Sequence, residues 1–123
     1  LKEIAEMLAT HEVVALRNSA TNLTSHALGV IDLALIDADN AQTIENFERA
    51  NRAFHHHALV APRGTPRLLP SLDGLQLANS RLVFARARSG GWRPRSNQDH
   101  RLILEALRDC NVDRACDLLA RHI

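Results

Sequence analysis

No apolar run in the sequence approaches the ~20 residues that a membrane-spanning helix needs, so no such span is expected. Charge of one sign is not in excess either. Fifteen Lys and Arg stand against 14 Asp and Glu, a formal net charge of +1, so no global field draws the chain to nucleic acid or to an anionic membrane surface. Cysteine is scarce. Cys110 and Cys116 do not form a CxxC motif and read as two free thiols in a reducing cytoplasm rather than as a disulfide or redox pair. Strict apolar–polar alternation and β-branched runs are missing, which argues against strands. There is no glycine-rich phosphate loop, and no Ser-His-Asp or Cys-His set can be placed on shared faces. A signal-peptide pattern is missing too: Leu1-Lys2-Glu3-Ile4-Ala5-Glu6 is already amphipathic. The opening lacks methionine, and the chain is expected to be a piece of a longer polypeptide.

What is present is 46% hydrophobic and 24% charged residues, the balance of a folded domain with one core. Ala, Leu, Glu and Arg dominate, and the fold expected over residues 1–123 is an all-α, antiparallel bundle of about six helices with a central pocket. The first helix spans about Lys2 to Arg17, with Ile4, Met7, Leu8, His11, Val14 and Ala15 on one side. Asn18 to Thr24 form a turn. The second helix carries Leu23, Ala27, Val30, Ile31, Ala34 and Leu35. Asp37, Asp39 and Asn40 break it and offer an N-cap to a third helix from about Ala41 to Val60. Pro62, Gly64 and Pro66 force a tight connection. The fourth helix runs from near Pro66 towards Arg88, with Pro70 in its first turns, where a missing N–H costs least. After a linker around Trp92, Ser96 and Asp99 have capping-box spacing for a fifth helix. Asn111 caps the last helix, through His122.

Several polar residues occupy positions where apolar ones are expected. Asn51 and His55 lie in the stripe of Ile44, Phe47, Phe54 and Ala58. His100 heads the stripe of Ile103, Leu104 and Leu107, and His122 ends that of Ala115, Leu118 and Leu119. His11 does something similar near Leu8 and Val14. Residues three and four apart share a helix face, so these groups point towards a core, where an unpaired polar group costs ~1–3 kcal/mol. A shared partner for imidazoles from different helices is a metal ion. Asn51 and His55, at i,i+4 spacing, are placed to ligate together. Three imidazoles and an amide oxygen suit a divalent ion, zinc first, with nickel, cobalt or iron as alternatives. In the other reading each histidine hydrogen-bonds to backbone or water at a helix end. Spacing alone leans to the second.

Four segments bear on that choice: Asn51-Arg52-Ala53-Phe54-His55, Gly64-Thr65-Pro66-Arg67-Leu68, His100-Arg101-Leu102-Ile103-Leu104-Glu105-Ala106-Leu107, and Arg121-His122-Ile123. In this order and spacing the chain resembles the FCD domain, the effector-binding C-terminal half of many GntR-family bacterial transcription regulators. The family pattern is D-x-x-F-H, G-N-P-R-L, E-H-x-x-I-L-x-A-I and a closing H-L. The resemblance implies a divalent metal on Asn51, His55, His100 and His122, with a small carboxylate effector completing its coordination. It also implies a homodimer, a cytoplasmic location, and DNA binding only through an upstream winged-helix domain not contained in these residues.

The chain departs from the pattern. Asn51 replaces the family aspartate, which should weaken metal binding and leave the site more positive, favouring an anionic effector. Asp99 replaces a glutamate. The first-helix R-x-x-L-E pattern falls on Leu8-Ala9-Thr10-His11-Glu12, without its arginine. Arg52, Arg67, Arg101 and His11 are the candidates to contact an effector. His56 and His57 follow His55 but point ~100° apart in a helix and are not counted as ligands. Two other functions stand beside the sensor. A metal-dependent hydrolase would need a carboxylate base near the metal, and none is evident on the expected pocket faces. A metal-free helical interaction module would carry satisfied core histidines.

Overall fold

The structure, a computed structural model, describes residues 2–20, 23–55, 69–88 and 95–122. Among them are six helices and no strand: α1 (Lys2–Ser19), α2 (Ser25–Asp39), α3 (Ile44–Arg52), α4 (Leu69–Arg88), α5 (Arg95–Arg108) and α6 (Val112–His122). The all-α bundle expected from the pattern is what forms. None of the described helices is long and apolar enough to cross a membrane. Residues 21–22, the 62–66 connection, the linker with Trp92, and His56, His57 and Arg67 lie outside the described residues.

The main helix contacts close into a ring. α1 packs on α4, α4 on α3, α3 on α2, α2 on α5, α5 on α6, and α6 back on α1. α1, α2, α4, α5 and α6 turn apolar stripes inward to one core that includes Leu16, Ile31, Leu35, Leu72, Ile103 and Leu119, joined by Phe54 just past α3, all essentially inaccessible. Burial of each such side chain contributes about 1.5–3 kcal/mol. Arg17 Nη1 donates to Asp113 Oδ1 at 2.8 Å, tying the end of α1 to the start of α6. A smaller cluster of Ala38, Phe47 and Ala50 seals α2 against α3.

The helix ends follow side-chain hydrogen bonds more closely than residue counts. Thr24 Oγ1 accepts from the Ala27 amide and caps α2. Asn111 Oδ1 accepts from the Arg114 amide at 3.1 Å, capping α6 as expected. Two expected caps are replaced. Thr43, rather than Asp39 or Asn40, caps α3 by accepting from the Asn46 amide. Asp39 instead receives Asn97 and Arg101 from α5, an attraction across the ring that outweighs a local cap. α5 already begins at Arg95, so Ser96 sits inside the helix and Asp99 is free to face α6.

α5 ends in a Schellman turn. The Asn111 amide bonds to the Ala106 carbonyl at 2.8 Å and the Cys110 amide to that of Leu107 at 3.1 Å. The turn requires a left-handed residue, and Cys110 takes it with φ 57°. A side chain there costs ~1 kcal/mol that glycine avoids. Cys110→Gly is therefore expected to stabilise the domain by about 0.5–1 kcal/mol, read from the midpoint of urea unfolding. Cys110 and Cys116 are both free thiols, exposed and buried respectively.

Candidate metal centre

The site lies inside the ring. α3 ends at Arg52, and the chain continues through a wider, π-type turn over 53–55. That turn shifts the helical register, so consecutive Phe54 and His55 are both buried. The third helix therefore changes character at 53, and its expected end at Val60 lies outside the described residues. His100, in the second turn of α5, is sandwiched against Phe54, with ring centroids 4.2 Å apart and planes 24° from parallel. His122 ends α6.

The three imidazoles converge. His55 Nε2 is 3.1 Å from His100 Nε2, which is 2.8 Å from His122 Nε2, and one ring nitrogen from each lies within 4.8 Å of the others. Two of the rings have their far nitrogens held. His55 Nδ1 lies 2.6 Å from Glu12 Oε1 and His122 Nδ1 lies 3.3 Å from Asp99 Oδ2. A carboxylate only accepts, so both Nδ1 atoms carry the hydrogen. In the neutral rings both Nε2 atoms then present lone pairs to His100 Nε2, whose single N–H could satisfy only one of them. Three inward nitrogens form a poor hydrogen-bond set and a good chelate. Nitrogens ~2.0–2.1 Å from one ion are about 2.9–3.4 Å apart at octahedral to tetrahedral angles. The carboxylate behind each outer imidazole is the usual support of a metal-bound histidine.

Electrostatics follow the same geometry. Burial, with His55 and His122 as neighbours, holds His100 well below the ordinary imidazole value. Burial and His55 also lower His122, against the opposing pull of Asp99. For His55 burial acts downward, but the charge and hydrogen bond of Glu12, with Glu48 adding, leave it raised.

A small cleft open to solvent adjoins the imidazoles, lined by Leu8, Glu12, Glu48, Asn51, Arg52, His55, Gln76 and His122. Asn51 thus borders the same space as two of the histidines. Its Nδ2 donates to Glu48 Oε2 at 3.3 Å, while its Oδ1 is buried with no partner. Arg52, exposed, also borders the cleft. Arg101 and His11 do not. Arg101 is paired with Asp39, and His11 Nδ1 donates to the Met7 carbonyl one turn back at 2.7 Å.

The expectation that the pocket faces hold no carboxylate is overturned. Glu12 is 1% and Glu48 3% exposed, and both line the cleft. Glu12 accepts from His55 and from Gln76 Nε2 at 3.5 Å, and Glu48 accepts from Ser80 Oγ at 2.7 Å. The expected excess of positive charge at the site is corrected with it, since these buried anions offset what Asn51 gives up. A signal for Glu12 was present: it lies four residues after Leu8 and four before Leu16, and it holds the glutamate position of the R-x-x-L-E pattern.

Compared with known protein families, the chain matches the FCD domain over residues 3–123. No curated protein and no solved structure gives a significant match. With a match over nearly its whole length, the chain belongs to the FCD family, the regulatory, effector-binding domains of GntR-type regulators.

Proposed function

We propose that this chain is a metal-containing sensor domain that binds a small organic acid and biases an attached winged-helix DNA-binding domain. The observation that carries the reading is the convergence of three Nε2 atoms, two of them turned inward by Glu12 and Asp99. His55, His100 and His122 would hold a divalent ion, zinc by preference for three imidazoles, and the unpartnered Asn51 Oδ1 would serve as fourth ligand. Bound there, the metal supplies a positive centre with open positions for an effector carboxylate. Arg52, at the cleft edge, is placed to meet the acid from the solvent side. Regulation needs no chemistry: an effector that prefers one arrangement of the ring shifts the population by its differential affinity. The exposed Val30, Leu33 and Ile36 of α2 and Met7 and Val14 of α1 offer apolar surface for a homodimer. A regulator acting on DNA would work in the cytoplasm.

A hydrolase would need Glu12 or Glu48 as a base. Glu48 has both oxygens engaged, by Ser80 and Asn51, and Glu12 is committed through Oε1 to orienting the His55 ring, roles that fit a sensor better than a base. Titration of metal-stripped chain with zinc should show one tight site by calorimetry, and carboxylates should bind only after loading. No zinc uptake would overturn the metal-sensor reading and leave the metal-free helical module.

A further inference from the structure

Around the cleft, among the described residues, buried acceptors outnumber donors. Glu12 Oε2, Asn51 Oδ1 and Gln76 Oε1 are each buried without a hydrogen-bond partner, and all three residues line the cleft. The two amides are not free to turn over. Asn51 and Gln76 each direct their NH₂ group at a carboxylate, Glu48 and Glu12, which can only accept. Their oxygens are therefore fixed as unpaired acceptors. Glu48 adds a buried negative charge whose hydrogen-bond partners among the described residues are neutral, the Ser80 hydroxyl and the Asn51 amide. A metal on the three imidazoles could take up Asn51 Oδ1. Glu12 Oε2 and Gln76 Oε1 would remain, beside Glu48.

A carboxylate alone cannot satisfy these groups, because it brings only further acceptors. A primary ammonium brings three N–H donors and one positive charge. Resting on the sensor reading above, we propose that the effector is an amino acid: its carboxylate is taken by the metal and Arg52, and its ammonium by Glu12, Gln76 and Glu48. A hydroxy acid offers one donor and no charge, and a simple carboxylate offers neither. Leaving the buried acceptors unpaired then penalises both.

The test uses the zinc-loaded chain and matched triples differing only in that substituent: glycine, glycolate and acetate; alanine, lactate and propionate; aspartate, malate and succinate. Calorimetry should find the amino acid tightest in the triple that binds best, by about 100-fold over its unsubstituted partner, with the hydroxy acid between. Glu48→Gln should remove most of that preference while acid binding persists. The ranking on the unaltered chain remains decisive even where this variant unfolds. Equal or tighter binding of the hydroxy or unsubstituted acid overturns the proposal and leaves the carboxylate sensor standing. So does binding of none of the nine compounds to protein whose zinc content has been verified. Failure of zinc uptake, measured before any acid is added, is the separate result that removes the sensor reading itself.

Discussion

Zinc should raise the melting temperature of the metal-stripped chain by roughly 12–20 °C, and His100→Ala should cancel the rise. At a free ion concentration a thousand times the Kd, binding to the folded state alone contributes about 4 kcal/mol. For a domain of this size each kcal/mol moves the midpoint by about 3–5 °C. His100 is the ligand to remove because its Nε2 lies beside both others. His11→Ala and Arg101→Ala, which lie away from the cleft, should keep the full shift. Acid should act in the same direction as the substitution. In the metal-free fold His100 and His122 are held below the ordinary imidazole value. Unfolded, they take up protons below pH ~6.5, so their contribution is present above that pH and is lost as it falls. His55 is raised and has the opposite sign, its contribution present in acid and lost as pH rises. The His55 window lies above pH ~6.5, so below it only His100 and His122 act, giving a net loss of stability from about pH 6.5 downward, and protonation competes with the metal over the same range. A zinc shift that survives His100→Ala would show that the ion binds elsewhere.

Glu12→Ala is expected to weaken zinc binding by about 10–100-fold, the usual cost of removing the hydrogen-bond partner of a metal-bound histidine. It should also cost about 1–3 kcal/mol of metal-free stability, because His55 Nδ1 and Gln76 Nε2 lose a buried acceptor. Glu12→Gln restores an acceptor of the same shape without the charge and should recover most of the stability and only part of the affinity. Parallel zinc titrations and urea unfolding of both variants check this. If Glu12→Ala bound zinc like the unaltered chain, the Glu12 carboxylate would not be orienting the His55 ring.

The histidines were legible because each interrupts an apolar stripe, and a polar residue on such a stripe is visible in the spacing. Glu12 was harder to see. α1 has apolar residues on a wide arc, and the sequence could not tell which part of it faces inward. Of the expected face of Ile4, Met7, Leu8, His11, Val14 and Ala15, only Leu8 and Ala15 are buried, and the inward face is turned by about one residue. α1 buries Leu8, Glu12, Ala15, Leu16 and Ser19, while Met7 and Val14 stay 43% and 46% exposed. The choice is made by packing on α4 and α6, which no local pattern encodes. Glu48 was hidden for a similar reason. It follows Phe47 and would pass for a solvated helix residue, and its burial is made tolerable by Ser80 approaching from α4 together with Asn51 one turn on. Asp39 shows the reverse error, a good local cap diverted to a distant arginine and asparagine.

The run of α1 from Lys2 to Ser19 holds no glycine and no proline, the residues at which helices hinge. It can therefore act as a stiff rod resting on the centre of the ring through Glu12. From Glu12 back to Lys2 the rod is about 15 Å long at 1.5 Å per residue. A pivot of roughly 10° at Glu12 would swing its first turn through about 3 Å. An adjustment of His55 that tilted α1 about Glu12 would thus reach the outer end of the helix enlarged.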